Sequence, residues 1–196
     1  MADLIRHLFS HDREERERAK EEVEKLLWEG KLGREDAQFF LELLGSDDRD
    51  LRGWAWMVVE DLISVGLVTR GDSGYFLELL KSEDWSVRLD AWSVVKDLVV
   101  MGLVVPEDVR LRSQYFLELL GSKDLDVRLR AWEKARDLIK EGVITPNEVR
   151  TRRQYFLELL GSSDESVRLN AWSNVDFLIV RGVITPDEAK ARKRYF

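Results

Sequence analysis

Between Asp124 and Gly142 the apolar side chains recur every three or four positions. Val127, Ala131, Trp132, Ala135, Leu138 and Ile139 fall within about 140° on a wheel of roughly 100° per residue. Arg130, Glu133, Lys134, Asp137, Lys140 and Glu141 fill the opposite arc. That pattern predicts an amphipathic helix. Asp124 is placed to cap its first turn, and Gly142 to end it in the left-handed conformation. A second helix is predicted from Thr145-Pro146-Asn147-Glu148, a capping box with proline at the first helical position, as far as Leu160, with Gly161 ending it. Thr185-Pro186-Asp187-Glu188 repeats the same start.

The pair is one of several. Tyr-Phe-Leu-Glu-Leu-Leu stands at 75–80, 115–120 and 155–160, Phe39 to Leu44 is a near copy, and Tyr195-Phe196 begins another. After each block comes Ser-x-Asp-x-x-x-Arg, followed three residues later by Ala-Trp. It places Arg52, Arg88, Arg128 and Arg168 four residues before Trp56, Trp92, Trp132 and Trp172. A worn copy at Asp12 keeps Arg16 and Ala19 but carries Lys20 where the tryptophan would be. The unit starts Asp12, Asp48, Asp84, Asp124 and Asp164 are therefore 36, 36, 40 and 40 residues apart. A fixed period of this size denotes stacked supersecondary units, each too small to bury its own apolar face. The extra four residues lie between Gly102, Gly142 or Gly182 and the next tyrosine, so the second helix of units one and two is expected to be about one turn shorter.

Asp84-Trp85-Ser86-Val87-Arg88 and Asp124-Leu125-Asp126-Val127-Arg128 resemble the opening of the first helix in HEAT-like (armadillo-type) repeats. The resemblance covers nearly the whole chain. It implies an all-α fold, a right-handed α-solenoid of five HEAT-like helix pairs with a concave face lined by the second helices. In the family that face binds proteins and sometimes nucleic acid. The expected organisation is a single repeat domain over 1–196, with units at about 12–45, 48–81, 84–121, 124–161 and 164–196. A short N-terminal helix, 1–11, precedes them. The tryptophan after the alanine and the long Gly-Val-Ile-Thr-Pro connection depart from the family pattern.

Composition narrows the chemistry. With no cysteine, thiolate catalysis and disulfides are excluded. His7 and His11 are the only histidines, one helical turn apart, with no third metal ligand in view. There is no glycine-rich phosphate loop and no nucleophile elbow, so neither an enzyme nor a cofactor is expected. No run approaches the roughly 18 apolar residues of a membrane span, and the N-terminus lacks a secretory core, so a cytoplasmic location is the expectation. Few amides and many Glu, Arg and Lys are the mixture of a thermophilic or a designed protein. The net charge of −7 is unevenly spread, −9 over residues 1–98 and +2 over 99–196.

Four groups of residues are candidates for more than scaffolding. Arg52, Arg88, Arg128 and Arg168 fall inside the apolar arc. They are expected to bracket each unit to the one before, through end-of-helix carbonyls and the glutamate of the preceding Leu-Glu-Leu-Leu block (Glu42, Glu78, Glu118 or Glu158). Trp56, Trp92, Trp132 and Trp172 are expected in the seam between units. Arg110 and Arg112, then Arg150, Arg152 and Arg153, then Lys190, Arg192, Lys193 and Arg194 form a basic series on the second helices, suited to an acidic protein segment or to phosphates. Alternatively it is a solvated face balanced by Glu118 and Glu158. Finally, Trp54 and Met57 in unit two and Phe177 and Val180 in unit five interrupt an arc that is charged in unit four. They are candidate partner-binding positions.

The leading expectation is a non-enzymatic protein-interaction scaffold. A nucleic-acid-binding solenoid using the basic stripe is second. A HEAT-like DNA glycosylase is third, although no aspartate is singled out as catalytic. Unit one, with Arg13-Glu14-Glu15-Arg16-Glu17-Arg18, has the polar character of a terminal cap, whereas unit five has not. End-to-end homo-oligomerisation through the C-terminal unit is therefore a further expectation.

Overall fold

The computed structural model describes residues 2–192, and every regular element among them is helical. The chain forms two compact bodies, residues 1–75 and 76–196. The first holds α1 (Ala2–Leu8), α2 (Arg13–Trp28), α3 (Arg34–Leu43) and α4 (Arg49–Ser64), then a 3-10 turn, Arg70–Asp72. The boundary falls inside α5 (Ser73–Leu79). The second holds α6 (Trp85–Val100), α7 (Pro106–Arg110), α8 (Ser113–Leu119), α9 (Leu125–Lys140), α10 (Pro146–Arg150), α11 (Arg153–Leu160), α12 (Glu165–Trp172), α13 (Val175–Val180) and α14 (Pro186–Lys190).

In the first body α1 lies on α2, and α4 packs against both α2 and α3. In the second, α9 lies between α6 and α12. Helix α8 touches α6 of its own pair and α9 of the next, and α11 touches α9 and α12 likewise. Each second helix thus spans two first helices. Among its apolar side chains, Phe116, Phe156, Val127, Ala131, Ala135, Val149 and Leu160 have no exposed surface.

The Ser-x-Asp-x-x-x-Arg string has a local explanation. The Asp48, Asp84 and Asp124 carboxylates accept from backbone N–H groups of the first helical turn at 2.7–3.2 Å. The Ser46, Ser122 and Ser162 hydroxyls accept from the aspartate's own N–H at 3.2 Å. The arginine then donates to the carbonyl of the serine six residues earlier, from Arg16 to Ser10 through Arg168 to Ser162, at 2.5–2.7 Å. Serine sets the aspartate, aspartate starts the helix, and the helix aims the arginine back at the loop. At the other end, Gly142 takes φ +71° beyond α9, as its position predicts.

Two expectations about helix continuity need correction. The second helix does not run unbroken from Thr145 to Leu160; it stops after Arg150 and restarts at Arg153. A side chain takes the carbonyl that would continue the ladder. The Thr151 hydroxyl donates to the Glu148 carbonyl at 2.6 Å, so the Arg152 N–H turns to Val149 instead. In the preceding pair the Arg112 guanidinium takes the equivalent Asp108 carbonyl at 2.7 Å, with the same result. The four extra residues therefore build a separate short helix, α7 or α10, rather than an added turn. Unit one has only the ten-residue α3, and unit two has the 3-10 turn with α5. Unit five also departs from the 16-residue first helix of the other units, breaking at Ser173-Asn174. There the Ser173 hydroxyl and the Asn174 amide both donate to the Asn170 carbonyl, at 2.7 and 3.4 Å.

Candidate functional site

The recurrent arginines are bonded into the fold, although the Arg168 Nε is buried without a protein acceptor. Besides the serine carbonyl, Arg88 reaches Glu118 at 2.9 Å and Arg128 reaches Glu158 at 2.8 Å. These glutamates lie on the second helix that follows, so the expected pairing with the preceding block's glutamate is corrected by one unit. The reason is geometric: α8 and α11 fold back over α6 and α9, bringing Glu118 and Glu158 above the guanidiniums. Tyr115 and Tyr155 lie against the Arg88 and Arg128 guanidiniums, with 5.6 and 5.3 Å from ring centroid to guanidinium carbon. Arg52 is fully buried, and Arg168 donates to the Ser162 and Ser163 carbonyls.

The tryptophans divide by position. Trp92 and Trp132 are 1 % exposed, and each donates its indole N–H at 3.0 Å, to the carbonyl of Leu80 or Leu120 in the preceding pair. Each also packs at a tilt against the phenylalanine of its own second helix, Phe116 with 5.3 Å or Phe156 with 4.9 Å between ring centroids. A residue bonded to one pair and packed in the next is part of a seam. Trp56 is buried in the first body, and Trp172 is half-buried.

The off-pattern apolar residues are mixed. Trp54 is not the exposed residue expected from its arc: it is 4 % exposed, edge-on to Phe40 at 5.9 Å. Its indole N–H donates to Glu24 at 3.3 Å and Lys20 lies 6.0 Å from its ring, so a helix wheel, which ignores neighbouring helices, misplaced it. Met57, one turn on, is exposed. Phe177 is half-buried, its ring held among Arg136, Lys140 and Arg181 at 5.3–6.0 Å. Val180 beyond it is 81 % exposed.

The basic series is partly neutralised. Arg153 pairs with Glu188 at 3.1 Å, whereas Arg110, Arg150 and Lys190 are exposed. Arg112 and Arg152 are half-buried, and the Nε of each is buried without a protein acceptor. Lys193 and Arg194 lie outside the described residues. Glu118 and Glu158 do not balance this series, being held by Arg88 and Arg128. His7 and His11 are both exposed, and among the described residues no cluster of three metal-ligating side chains occurs. Nor is any helix among them long and apolar enough to cross a membrane.

A recurring clasp went unread in the sequence. Every unit carries a basic residue five positions before its aromatic: Arg34, Arg70, Arg110, Arg150 and Lys190. Arg34 forms a two-pronged pair with Asp72, the capping-box acid of the next unit. Arg110, at the same position, lies near enough to Glu148, the next unit's capping-box acid, to help lower its carboxyl. Glu188, by contrast, is taken by Arg153, which stands two positions before Tyr155 and not five. The signal was present as a period, but its acidic partners were disguised as helix caps. The hydrogen bond from Arg34, aided by the Thr69 N–H, holds the Asp72 carboxyl below its ordinary range against the opposing effect of burial. The Thr185 N–H, then Arg153, lowers Glu188 in the same way. Burial would raise Glu148, but its hydrogen bonds from Thr145 and the nearby Arg110 outweigh that. A carboxylate lowered in the folded state stabilises above its unfolded value near pH 4 and loses that contribution as pH falls through the lowered folded value. Asp72→Asn should therefore unfold more readily than the parent at pH 7, with the gap narrowing steadily from about pH 4 downward. Urea midpoints measured across pH 7 to 2.5 would show it, and a gap that did not change with pH would count against the clasp.

One further pattern stands out. The chain's three glutamines, Gln38, Gln114 and Gln154, all immediately precede the aromatic of the repeat. Gln114 and Gln154 are exposed on α8 and α11, and Leu111, on the turn before α8, is 82 % exposed.

No protein-family model matches the chain, and no curated protein does. Among solved structures, the crystal structure of an engineered protein aligns over 98 % of this chain and 93 % of that one, at 16 % identity and a TM-score of 0.43.

Proposed function

We propose that this protein is a non-enzymatic scaffold of five HEAT-like helix pairs, stacked in the right-handed sense that the resemblance implies, and that it binds a protein partner through the face of its second helices. The recurrence of the same arginine and tryptophan contacts at a 40-residue step supports the stacked arrangement. The observation that carries the binding reading is Leu111. It stands almost wholly in solvent on the turn between α7 and α8, next to exposed Arg110 and one turn from Tyr115. A large apolar side chain on a rigid support, flanked by arginine and tyrosine, is the composition of a protein-binding hot spot. The equivalent position is Thr151 in the next unit, so the repeat itself does not require leucine there.

The phosphate-binding reading has one observation in its favour: the Arg112 and Arg152 Nε groups without protein acceptors, near exposed Arg150 and Lys190. Against it, Arg153 is spent on Glu188, and Arg110 lies close enough to Glu148 to act on it. The protein-binding reading is the stronger. Its test is affinity capture with nuclease-treated extract of the native cells. Leu111→Glu should weaken partner capture at least tenfold without changing the melting temperature by more than about 2 °C, as expected for an exposed site. Loss of binding on nuclease treatment, or with Arg150, Arg152 and Arg153 changed to Glu but not with Leu111→Glu, would favour phosphate instead.

A further inference from the structure

The surface between α9 and α13 reverses the charge of its counterpart one unit earlier. Where α6 meets α9, Lys96, Asp97, Lys134 and Asp137 line one small cleft, two charges of each sign. With Val100 and Glu141 added, these six positions hold one more acid than base. Their equivalents at α9 and α13 are Arg136, Asp137 and Lys140, then Asn174, Phe177 and Arg181, with two more bases than acids. In every earlier pair of successive units the same six positions carry more acid than base. The reversal comes mainly from unit five, where Phe177 stands in the place of Asp137 and Arg181 in that of Glu141.

The fold brings the three bases together. The guanidinium carbons of Arg136 and Arg181 stand 5.3 and 5.5 Å from the centre of the Phe177 ring, and the Lys140 nitrogen 6.0 Å. All three basic side chains are exposed, with Phe177 half-buried among them. A ring attracts cations through its quadrupole but has no net charge, so it gathers the three without neutralising them. The carboxylates next to them in sequence, Asp137, Glu141 and Asp176, pair with none of them among the described residues. Because Arg136 and Lys140 belong to α9, the cluster lies on the unit-four side of α13 and not on its outer side.

We propose that this cluster binds a phosphate monoester carried by a partner protein, as a phosphorylated serine or threonine. Such a group near neutral pH carries about two negative charges and three strong acceptor oxygens. The charge matches the excess of two bases, and two guanidinium forks with one ammonium supply donors for all its oxygens. A phosphodiester or a carboxylate brings a single charge, so a nucleic-acid backbone or an acidic side chain fits the cluster less well. Phe177 adds an apolar surface beside the charges, which suits the residues flanking a phosphorylated side chain. The site is built from first helices. It is a different surface from Leu111 and from the basic series, and depends on neither.

The test titrates the full chain with a short peptide carrying one phosphoserine, by isothermal calorimetry at constant ionic strength. Saturation at one site is expected. The same peptide with serine or glutamate in that place should bind at least tenfold more weakly. Affinity should also fall as the pH is lowered through about 6, where the phosphate takes up a proton. Arg181→Glu and Phe177→Asp each put in the residue that the repeat carries there in unit four, so the parent's circular dichroism spectrum should be kept. Each should weaken binding at least tenfold. Arg150→Glu, in the basic series on the second helices, should leave binding unchanged. Adenosine monophosphate, the same dianion on another carrier, should bind no more tightly than the peptide. No saturation, equal binding of the serine or glutamate peptide, or undiminished binding by Arg181→Glu would overturn the proposal. So would loss of binding with Arg150→Glu, or a preference for adenosine monophosphate.

Discussion

Replacing Trp132 with alanine is expected to lower the unfolding free energy by about 3–5 kcal/mol, the range for truncating a fully buried large aromatic. Three losses coincide. The side chain is 1 % exposed, so its apolar surface returns to a cavity and not to water. The tilted ring contact with Phe156 at 4.9 Å is lost. The Leu120 carbonyl, at the end of the preceding second helix, loses its indole donor. Trp172→Ala should cost clearly less, because Trp172 is only half-buried. Urea denaturation followed by far-ultraviolet circular dichroism measures both, and equal losses would contradict the assignment of Trp132 to a seam that Trp172 only partly shares.

Arg128→Lys should cost about 2 kcal/mol although charge is conserved, because a hydrogen bond from a charged group to a buried acceptor is worth about 1.5–3 kcal/mol and an ammonium cannot fork. The guanidinium donates from Nε to the Ser122 carbonyl at 2.7 Å and from a terminal nitrogen to Glu158 at 2.8 Å, while lying against Tyr155. No lysine reproduces all three. The salt-bridge component is the smaller one, since Glu158 keeps 49 % of its side chain in solvent. Glu158→Gln should therefore cost under about 1 kcal/mol, and added salt should change the parent little. A Glu158→Gln loss as large as that of Arg128→Lys would show the ion pair, and not the loop carbonyl, to be the main contact.

The all-helical fold was legible because period and caps agree residue by residue. Asp124, Gly142, Thr145 and Thr185 each occupy the cap position that their chemistry favours. What escaped the sequence involved two elements at once, or a side chain competing with the backbone. The break in the second helix depends on Thr151 and Arg112 capturing particular carbonyls, which no apolar periodicity encodes. Trp54 occupies a polar arc on its own helix, yet is buried by Phe40 and the aliphatic and charged parts of α2. The Arg88–Glu118 pairing was assigned one unit too early because 30 residues of intervening chain must fold back before the partners meet. Met57 and Val180 are exposed where the pattern alone placed them. The exposure of Leu111 and Leu169 was not legible, since a leucine in a leucine-rich repeat reads as core until its neighbours are known.

The repeat reading makes a demand that an ordinary globule would not meet. If successive pairs are equivalent units joined by equivalent seams, one whole period can be removed without destroying the rest. Deleting residues 124–163 joins Lys123 to Asp164, so that the α6–α8 pair meets α12 across the seam previously made with α9. The measurement is circular dichroism with urea denaturation of that shortened chain. A cooperatively unfolding protein with the same helical content per residue is the expected result. A chain that is unfolded, or that melts without cooperativity, would contradict the stacked-repeat account.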